Sequence, residues 1–388
     1  METKIEVQGQ CDSQFSAVEE AFRENFASKG EVGSSTAVYA GGKLVVDLWG
    51  GYADAARTRP WEHDTIVTVY STTKGMTAIC AHRLADQGKL DFDAPVAKYW
   101  PEFAQAGKSE MPVRHLLNHQ AGLPAIQTPV PPEAIFDWDR MTSALAAQEP
   151  WWEPGTKHGY HAITYGFLVG EVVKQITGKS LGTYFREEVA GPLGLDFHIG
   201  MDAQHDARTA QMIAPAPPPP GETDPMQELI KQEPESVTAK AMTNPAFTMG
   251  VTDNTREWRA AEIPAANGHA NGRSIARAYA ALSLGGELDG VRIMSSDAIE
   301  RALVEQSEGK DAVLGVPTRF GLGFMLSSET WPMEPAKRAF GHAGAGGSMG
   351  IADPDAGIGF GYAMNQMRSE AGDEYRYRNL LKAVYASL

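Results

Sequence analysis

Cysteine is scarce in this chain, and the usual metal-binding patterns are missing. The two cysteines, Cys11 and Cys80, do not form a C-x-x-C pair, and Cys80 lies on the apolar side of a predicted helix, where a small core residue is expected. The ten histidines are scattered and include no H-E-x-x-H motif. This pattern predicts free thiols in a reducing, cytoplasmic setting, with neither a metal nor a cofactor.

Long apolar runs and an excess of basic residues are also missing. No stretch of about 18 apolar residues occurs, and residues 1–7 lack the apolar core of a signal peptide, so neither a transmembrane helix nor a signal peptide is expected. The 34 basic residues are outnumbered by 49 acidic ones, which gives a net charge of −15. Nucleic acids and anionic membranes bind basic surfaces and are therefore not expected as partners. With 388 residues, the chain is long enough for two or three domains.

One stretch combines a hydroxyl cluster with a lysine. Ser71-Thr72-Thr73-Lys74 follows an apolar run and opens a helical pattern that ends near Gly88. Ser71 is predicted at the N-terminus of this helix, with Lys74 one turn later on the same face. A base that takes the serine proton makes the hydroxyl a nucleophile, and a lysine can do so if burial and the positive helix end lower its pKa. Backbone N–H groups at this helix end can also bind a developing oxyanion.

Two further segments have the composition of a site. Tyr160 lies in a loop after the Pro154-Gly155 turn and just before a strong helical pattern. A tyrosinate base needs a cation such as Lys74 to lower its pKa, and packing against the following helix is the structural alternative. The small residues of 341–347 allow something to approach the backbone closely. That partner is either a substrate carbonyl at the Ala345 N–H or a packed neighbouring element.

Strand patterns lie near both chain ends, and helical patterns lie between them. Gly41-Gly42 joins two strands, and a later hairpin turns at Asp289-Gly290. We therefore predict an α/β protein in which residues 1–80 and 270–388 form an antiparallel sheet flanked by helices. Residues 81–269 are predicted to be an inserted, mainly helical domain, with the site at the seam.

Three segments are assigned from local composition. Residues 213–245 are rich in proline and acidic residues, which predicts a loop insertion without helix or central strand. Residues 319–325 alternate large with small, as a strand does. A second Ser-x-x-Lys, residues 307–310, is polar and follows no apolar run, so a solvated loop is predicted there.

Taken together, three motifs resemble those of class C β-lactamases. Ser71-Thr72-Thr73-Lys74, Tyr160-His161-Ala162 and His342-Ala343-Gly344 look like Ser-x-x-Lys, Tyr-x-Asn and Lys-Thr-Gly, in the same order and at similar spacing. Residues 113–124 and 152–155 are also similar to that superfamily. The match is closer to the β-lactamase-like esterases known as family VIII carboxylesterases, and it runs from about residue 14 to the C-terminus. The resemblance implies the β-lactamase and penicillin-binding-protein fold.

The resemblance also implies roles for individual residues. Ser71 would be the acylated nucleophile, with Lys74 and Tyr160 sharing the base and acid roles. The N–H groups of Ser71 and Ala345 would form the oxyanion hole. The implied substrate-binding residues are Gln127, His342 and Gly344. The implied activity is a serine carboxylesterase that acts on small-molecule, short-chain esters without a metal or cofactor.

Departures from the class C pattern favour esters over β-lactams. Ala162 replaces the Asn that contacts the amide beside the lactam, His342 replaces the Lys that helps to bind the substrate carboxylate, and Ala343 removes a Thr hydroxyl. A β-lactamase, including as a promiscuous side activity, and a D-amino-acid peptidase remain alternatives. A non-catalytic binding protein is disfavoured because the serine, lysine and tyrosine are all present.

A second hydrolase motif gives a different candidate nucleophile. Gly346-Gly347-Ser348-Met349-Gly350 fits the Gly-x-Ser-x-Gly elbow of α/β-hydrolases. That fold requires a histidine after the serine in chain order, and the last histidine here is His342. The segment also has a strand pattern without a following helix. Ser348 is therefore predicted not to be the nucleophile.

Overall fold

The computed structural model describes residues 5–217, 225–333, 335–368 and 376–388. The helices in these ranges are α1 (Ser16–Ser28), α2 (Thr73–Asp86), α3 (Arg114–Leu117), α4 (Trp138–Ala147), α5 (Thr164–Thr177), α6 (Leu181–Phe185), α7 (Gly191–Leu193), α8 (Pro225–Gln232), α9 (Val237–Thr243), α10 (Arg256–Ala260), α11 (Gly272–Ser283), α12 (Ser296–Leu303) and α13 (Arg376–Ala386). The strands are β1 (Val7–Cys11), β2 (Gly33–Ala40), β3 (Lys43–Gly51), β4 (Val67–Thr68), β5 (Phe197–His198), β6 (His269–Ala270), β7 (Glu287–Leu288), β8 (Val291–Arg292), β9 (Ser307–Lys310), β10 (Pro317–Phe320), β11 (Met325–Leu326), β12 (Phe340–Ala343), β13 (Met349–Asp353) and β14 (Ile358–Met364).

Strands from both chain ends form one antiparallel sheet, as predicted. Its described part has nine strands in the order β1-β3-β2-β14-β13-β12-β11-β10-β9. The β2–β3 hairpin turns at Gly41 and Gly42, both with positive φ, and β2 also pairs with β14, with Ala37 opposite Gly361. Residues near position 40 therefore lie in the same sheet as residues near 360.

Helices cover both faces of this sheet. Gly361 of β14 faces α11, because a Cβ there would lie 2.2 Å from the Gly272 carbonyl oxygen. Side chains alternate along a strand, so Tyr362 lies on the opposite face. There its hydroxyl contacts the buried Glu31 carboxylate, which also lies 3.2 Å from a guanidinium nitrogen of Arg376 in α13. This buried cluster holds the C-terminal helix against the start of the chain.

Helix α2 lies in the interior and begins directly after Ser71 and Thr72. Eleven of its fourteen residues are buried, and Gly75 lets it pack closely on α11, because a Cβ there would lie 2.2 Å from the Tyr279 hydroxyl. Gly88, with φ +69°, follows the helix as predicted. A helix buried on all sides keeps water from its polar groups, which matters for Lys74.

Three segments differ from their sequence patterns. Helices α8 and α9 occupy part of 213–245, because Pro225 stands in the first turn of α8, where no N–H is needed, and the Ser236 hydroxyl caps α9; residues 218–224 lie outside the described residues. Residues 319–325 span two strands and a turn, in which Gly323 has φ +89°. Residues 307–310 form the edge strand β9, in which Ser307 and Lys310 point to opposite faces.

The division of the chain into two domains stays a prediction. One domain would contain residues 1–80 and 270–388, and the other residues 81–269. No helix in the described ranges is both long and apolar enough to span a bilayer.

Candidate active site

The backbone turns sharply into α2 at Ser71. Tyr70, the residue before it, has φ +43°, a conformation that costs a bulky side chain free energy. The Lys74 N–H donates to the Ser71 carbonyl oxygen at 2.9 Å. Ser71 itself is half-buried, so its hydroxyl lies at the rim of an otherwise dry helix end.

The side-chain amine of Lys74 contacts the Ser71 hydroxyl. Its Nζ lies 3.0 Å from Ser71 Oγ, 2.7 Å from the Ala162 carbonyl oxygen and 3.0 Å from the Ala265 carbonyl oxygen. The side chain is fully buried, and this desolvation holds the pKa of Lys74 well below its usual 10.5. A neutral amine has two N–H donors and one lone pair. Two carbonyls and one hydroxyl match that set, so Ser71 can donate its proton to Nζ.

Lys108 provides an internal contrast. It is also buried, but its Nζ contacts three carbonyl oxygens, those of Gln105, Ala146 and Gln148, at 2.9, 3.0 and 2.5 Å. Carbonyls only accept, so this arrangement requires three donors and therefore an ammonium. Burial lowers the pKa of Lys108 to about 8, which leaves it charged at neutral pH. Of these two lysines, Lys74 has the environment that suits a base.

Tyr160 lies beside the same two groups. Lys74 Nζ stands 4.7 Å from the centre of its ring, and the Ser71 hydroxyl is near enough to act on its pKa, in the lowering direction. The Tyr160 N–H donates to the Asp311 carboxylate at 3.0 Å, which fixes the loop. The expectation that Lys74 lowers the pKa of Tyr160 is wrong: burial raises that pKa, and the neutral amine supplies no opposing charge. Tyr160 is therefore a neutral hydroxyl that can relay a proton.

His342 is a neutral imidazole in this structure. Its Nδ1 donates to the Ala343 carbonyl oxygen at 2.7 Å, and its Nε2 is buried without a partner among the described residues. Burial lowers the pKa of His342 to about 3, and Lys74 contributes at the low pH at which it is itself protonated. The ring lies 6.2 Å from that of Tyr160. Position 342 thus offers an acceptor and no positive charge.

The end of β12 packs directly against the turn that carries Ser71. A Cβ on Gly344 would lie 2.3 Å from the Val69 carbonyl oxygen and 2.2 Å from Ser348 Oγ. Ser348 is buried and donates to that Val69 oxygen at 2.8 Å. Ser348 is therefore occupied in holding the two segments together, which fits the prediction that it is not the nucleophile. The close approach at Gly344 is to Val69.

This packing places the two predicted oxyanion donors on adjoining segments. Thr72, next to Ser71, donates from Oγ1 to the His342 carbonyl oxygen at 3.3 Å, and Ala345 opens a short turn, Ala345–Gly347, directly after β12. The oxyanion roles of Ser71 and Ala345 stay a prediction, as does the substrate-binding role of Gly344.

Comparison with known proteins places this geometry in a family. A family model described as beta-lactamase matches residues 18–385, nearly the whole chain. The chain belongs to the beta-lactamase family.

Its relatives within the beta-lactamase family include esterases. The esterase/beta-lactamase LipL of Mycobacterium tuberculosis (strain ATCC 25618 / H37Rv) is 37% identical over 366 residues, which cover 93% of this chain and 83% of LipL. A family VIII carboxylesterase structure is 44% identical with a TM-score of 0.90, covering 99% of this chain and 100% of that one. A penicillin-binding protein homologue from Caulobacter crescentus is 39% identical with a TM-score of 0.89 and the same coverage. The predicted fold is confirmed, and the protein is a serine hydrolase of the beta-lactamase family.

Gln127 forms its hydrogen bonds with residues 148 and 149. Its side-chain amide donates to the Glu149 carbonyl oxygen at 3.0 Å, and its backbone N–H contacts Gln148. Its substrate-binding role stays a prediction. Sequence reasoning missed Asp311 and the Ala265 carbonyl, which lie outside the three motifs. It also missed the contact of the Ala162 carbonyl with Lys74, although Ala162 itself lies in the second motif.

Proposed function

We propose that this protein is a carboxylesterase that hydrolyses short-chain esters through an acyl-enzyme on Ser71. The observation that carries the proposal is the hydrogen-bond set of Lys74, in which two backbone carbonyls take the N–H donors of a buried amine and leave its lone pair for Ser71 Oγ. Burial supplies the low pKa that such a base needs.

In the acylation step, Ser71 Oγ attacks the ester carbonyl carbon while its proton passes to Lys74. The carbonyl oxygen becomes an oxyanion, which the N–H groups of Ser71 and Ala345 would stabilise. The tetrahedral intermediate then collapses. The C–O bond to the alcohol breaks, and the leaving oxygen takes a proton from the Tyr160 hydroxyl, which Lys74 replenishes.

Deacylation reverses these proton movements with water as the nucleophile. As the water oxygen attacks the acyl carbon, water gives one proton to the Tyr160 oxygen, which passes its own proton to Lys74; Lys74 then supplies the proton that Ser71 Oγ regains. Ser71 Oγ leaves and regains a proton, so the carboxylic acid is released and the enzyme is restored.

The surroundings of Tyr160 favour an uncharged ester. Tyr160 packs against an apolar cluster that includes Trp152, Ala241 and Val313, and the neutral His342 offers no cation to a carboxylate. β-Lactam hydrolysis is a second candidate activity, because the name of LipL includes both esterase and beta-lactamase. Most β-lactam drugs carry a carboxylate, so we expect that activity to be the slower one.

The test is covalent labelling combined with hydrolysis assays. The protein is incubated with a p-nitrophenyl phosphonate, digested and mapped by mass spectrometry, and p-nitrophenyl acetate, butyrate and octanoate are compared with nitrocefin. We expect an adduct on Ser71, faster turnover of the two shorter esters, and loss of both signals in Ser71→Ala. An adduct on Ser348, or turnover of nitrocefin above every ester, would contradict the proposal.

A further inference from the structure

The residue before the nucleophile is held by a contact that the family motifs do not include. The Tyr70 hydroxyl hydrogen-bonds with the Asp253 carboxylate, and both side chains are at most 2% exposed. Asp253 Oδ2 also accepts the Gly250 N–H at 2.9 Å, while Oδ1 has no partner among the described residues. An incompletely satisfied buried carboxylate costs folding free energy. The contact of Asp253 with Tyr70 is therefore better explained by a role in positioning Tyr70 than by a gain in stability.

The backbone of Tyr70 is strained, and this strain lies directly before Ser71. Its φ of +43° is one that an aromatic residue adopts only when its surroundings impose it. The backbone on its carboxyl side is held as well, because the Tyr70 carbonyl oxygen accepts the Thr73 hydroxyl at 2.5 Å and the Thr73 N–H at 2.9 Å. The peptide between Tyr70 and Ser71 carries the Ser71 N–H, so its orientation depends on these restraints.

The same tyrosine hydroxyl also reaches the turn that contains Ala345. Met367 Sδ lies 3.6 Å from the Tyr70 hydroxyl. Gly346 packs on Met367, because a Cβ at Gly346 would lie 2.8 Å from Met367 Cγ. One buried hydroxyl therefore borders both segments whose N–H groups are the oxyanion donors of the proposed mechanism.

We propose that Tyr70 and Asp253 are positioning residues that hold the Ser71 and Ala345 segments in the geometry of the oxyanion hole. This inference rests on the proposed function. Neither residue touches the reacting atoms. Loss of their hydrogen bond lets the strained Tyr70 relax and rotates the Ser71 N–H away from the oxyanion, which weakens transition-state binding more than substrate binding.

The experiment compares Tyr70→Phe and Asp253→Ala with a conservative rescue, Asp253→Asn, which keeps one acceptor oxygen. Tyr362→Phe is the matched control, because it removes another buried tyrosine–carboxylate hydrogen bond, that with Glu31, on the far side of the sheet. Each variant is assayed with p-nitrophenyl butyrate. Each is also inhibited with an alkyl trifluoromethyl ketone, whose tetrahedral adduct carries an oxyanion, and with the product butyrate. Melting temperatures are measured in parallel.

We expect kcat to fall about tenfold or more in Tyr70→Phe and Asp253→Ala, with a similar rise in the inhibition constant of the ketone. KM and butyrate inhibition should change little, and Asp253→Asn should recover part of the loss. In Tyr362→Phe the melting temperature should fall while kcat stays near that of the wild type. The double variant Tyr70→Phe/Asp253→Ala should lose no more activity than the worse single variant, because the two side chains act as one unit.

Equal values of kcat in Tyr70→Phe and the wild type would overturn the inference, as would equal losses of kcat in Tyr70→Phe and Tyr362→Phe. An inactive, unlabelled wild-type protein would instead reject the proposed function itself, so the two failures are distinguishable.

Discussion

Thr72 and Ser348 are 276 positions apart in the chain, yet their hydroxyl oxygens lie 3.0 Å from each other. This contact joins the turn that carries Ser71 to the strand that follows the glycine-rich segment. It also explains why a Gly-x-Ser-x-Gly match occurs in a protein that does not have the α/β-hydrolase fold: the serine is a buried structural hydrogen-bonding residue.

Ser348→Ala is therefore expected to lower stability without removing the nucleophile. The change leaves the Val69 carbonyl oxygen without the Ser348 donor and should cost about 1–2 kcal/mol of unfolding free energy. Urea denaturation measures that loss, and phosphonate mapping should still find the adduct on Ser71. Loss of labelling equal to that of Ser71→Ala would contradict this role.

Lys74→Met and Lys108→Met are expected to have opposite effects. Lys74→Met removes the base and should lower kcat at least a thousandfold, while the fold persists. Lys108→Met should leave kcat of the folded protein nearly unchanged but lower stability by about 2–3 kcal/mol, because three buried or partly buried carbonyls lose their donor. Turnover and urea denaturation of both variants check the pair. Comparable kcat in the two variants would show that Lys74 is not the base.

The pH dependence of kcat/KM should have an acid limb that belongs to Lys74. Activity requires the neutral amine, so it rises with pH through the depressed pKa of Lys74. His342, with a pKa of about 3, cannot set this limb, and ionisation of Tyr160 should not reduce activity below pH 10 because its pKa is raised. A profile from pH 4 to 10 for the wild type and His342→Gln checks this. A limb that moves in His342→Gln would reassign it.

The same shift predicts a change in stability with pH. Between the depressed pKa of folded Lys74 and its usual value of 10.5, the unfolded chain binds a proton that the folded protein does not. Stability therefore rises with pH across this window. The effect is isolated by measuring the unfolding free energy of the wild type minus that of Lys74→Met at several pH values. A difference that falls as pH rises would contradict it.

His342→Lys should move selectivity toward substrates with a carboxylate. An ammonium at this position supplies the positive charge that the neutral imidazole lacks, whereas His342→Gln, which stays neutral, is the control. We expect the ratio of kcat/KM for a carboxylate-bearing ester to that for p-nitrophenyl butyrate to rise about tenfold in the lysine variant alone. Equal ratios in the two variants would show that charge at position 342 does not set selectivity.

Local patterns predicted the parts of the fold that depend on neighbours in sequence. Helix α2 begins just after Ser71 and ends just before Gly88, as its pattern indicated, and Asp289-Gly290 forms the predicted turn, with positive φ at both residues. The alternation of large and small residues in 319–325 led to a wrong prediction of one strand, because it does not distinguish one strand from two strands joined at Gly323. Proline content misled in 225–243 because position within a helix matters more than composition.

The site was predictable to the extent that it is local. Ser71 and Lys74 meet because they are three residues apart at the start of a helix. The contacts of Lys74 with the carbonyl oxygens of Ala162 and Ala265 could not be predicted, since every residue has a carbonyl group and the sequence does not show which of them bind a side chain. Asp253 lies 183 positions from Tyr70, and only the folded chain brings them together.

The pairing of β2 with β14 also determines when the protein can fold during synthesis. The β2–β3 hairpin is synthesised well before β14, which is the other neighbour of β2 and begins only at Ile358. Until then the emerging chain exposes a hairpin with one unpaired edge. The central sheet therefore cannot close before β14 has been synthesised, which leaves a long interval in which an exposed strand edge can lead the nascent chain to aggregate.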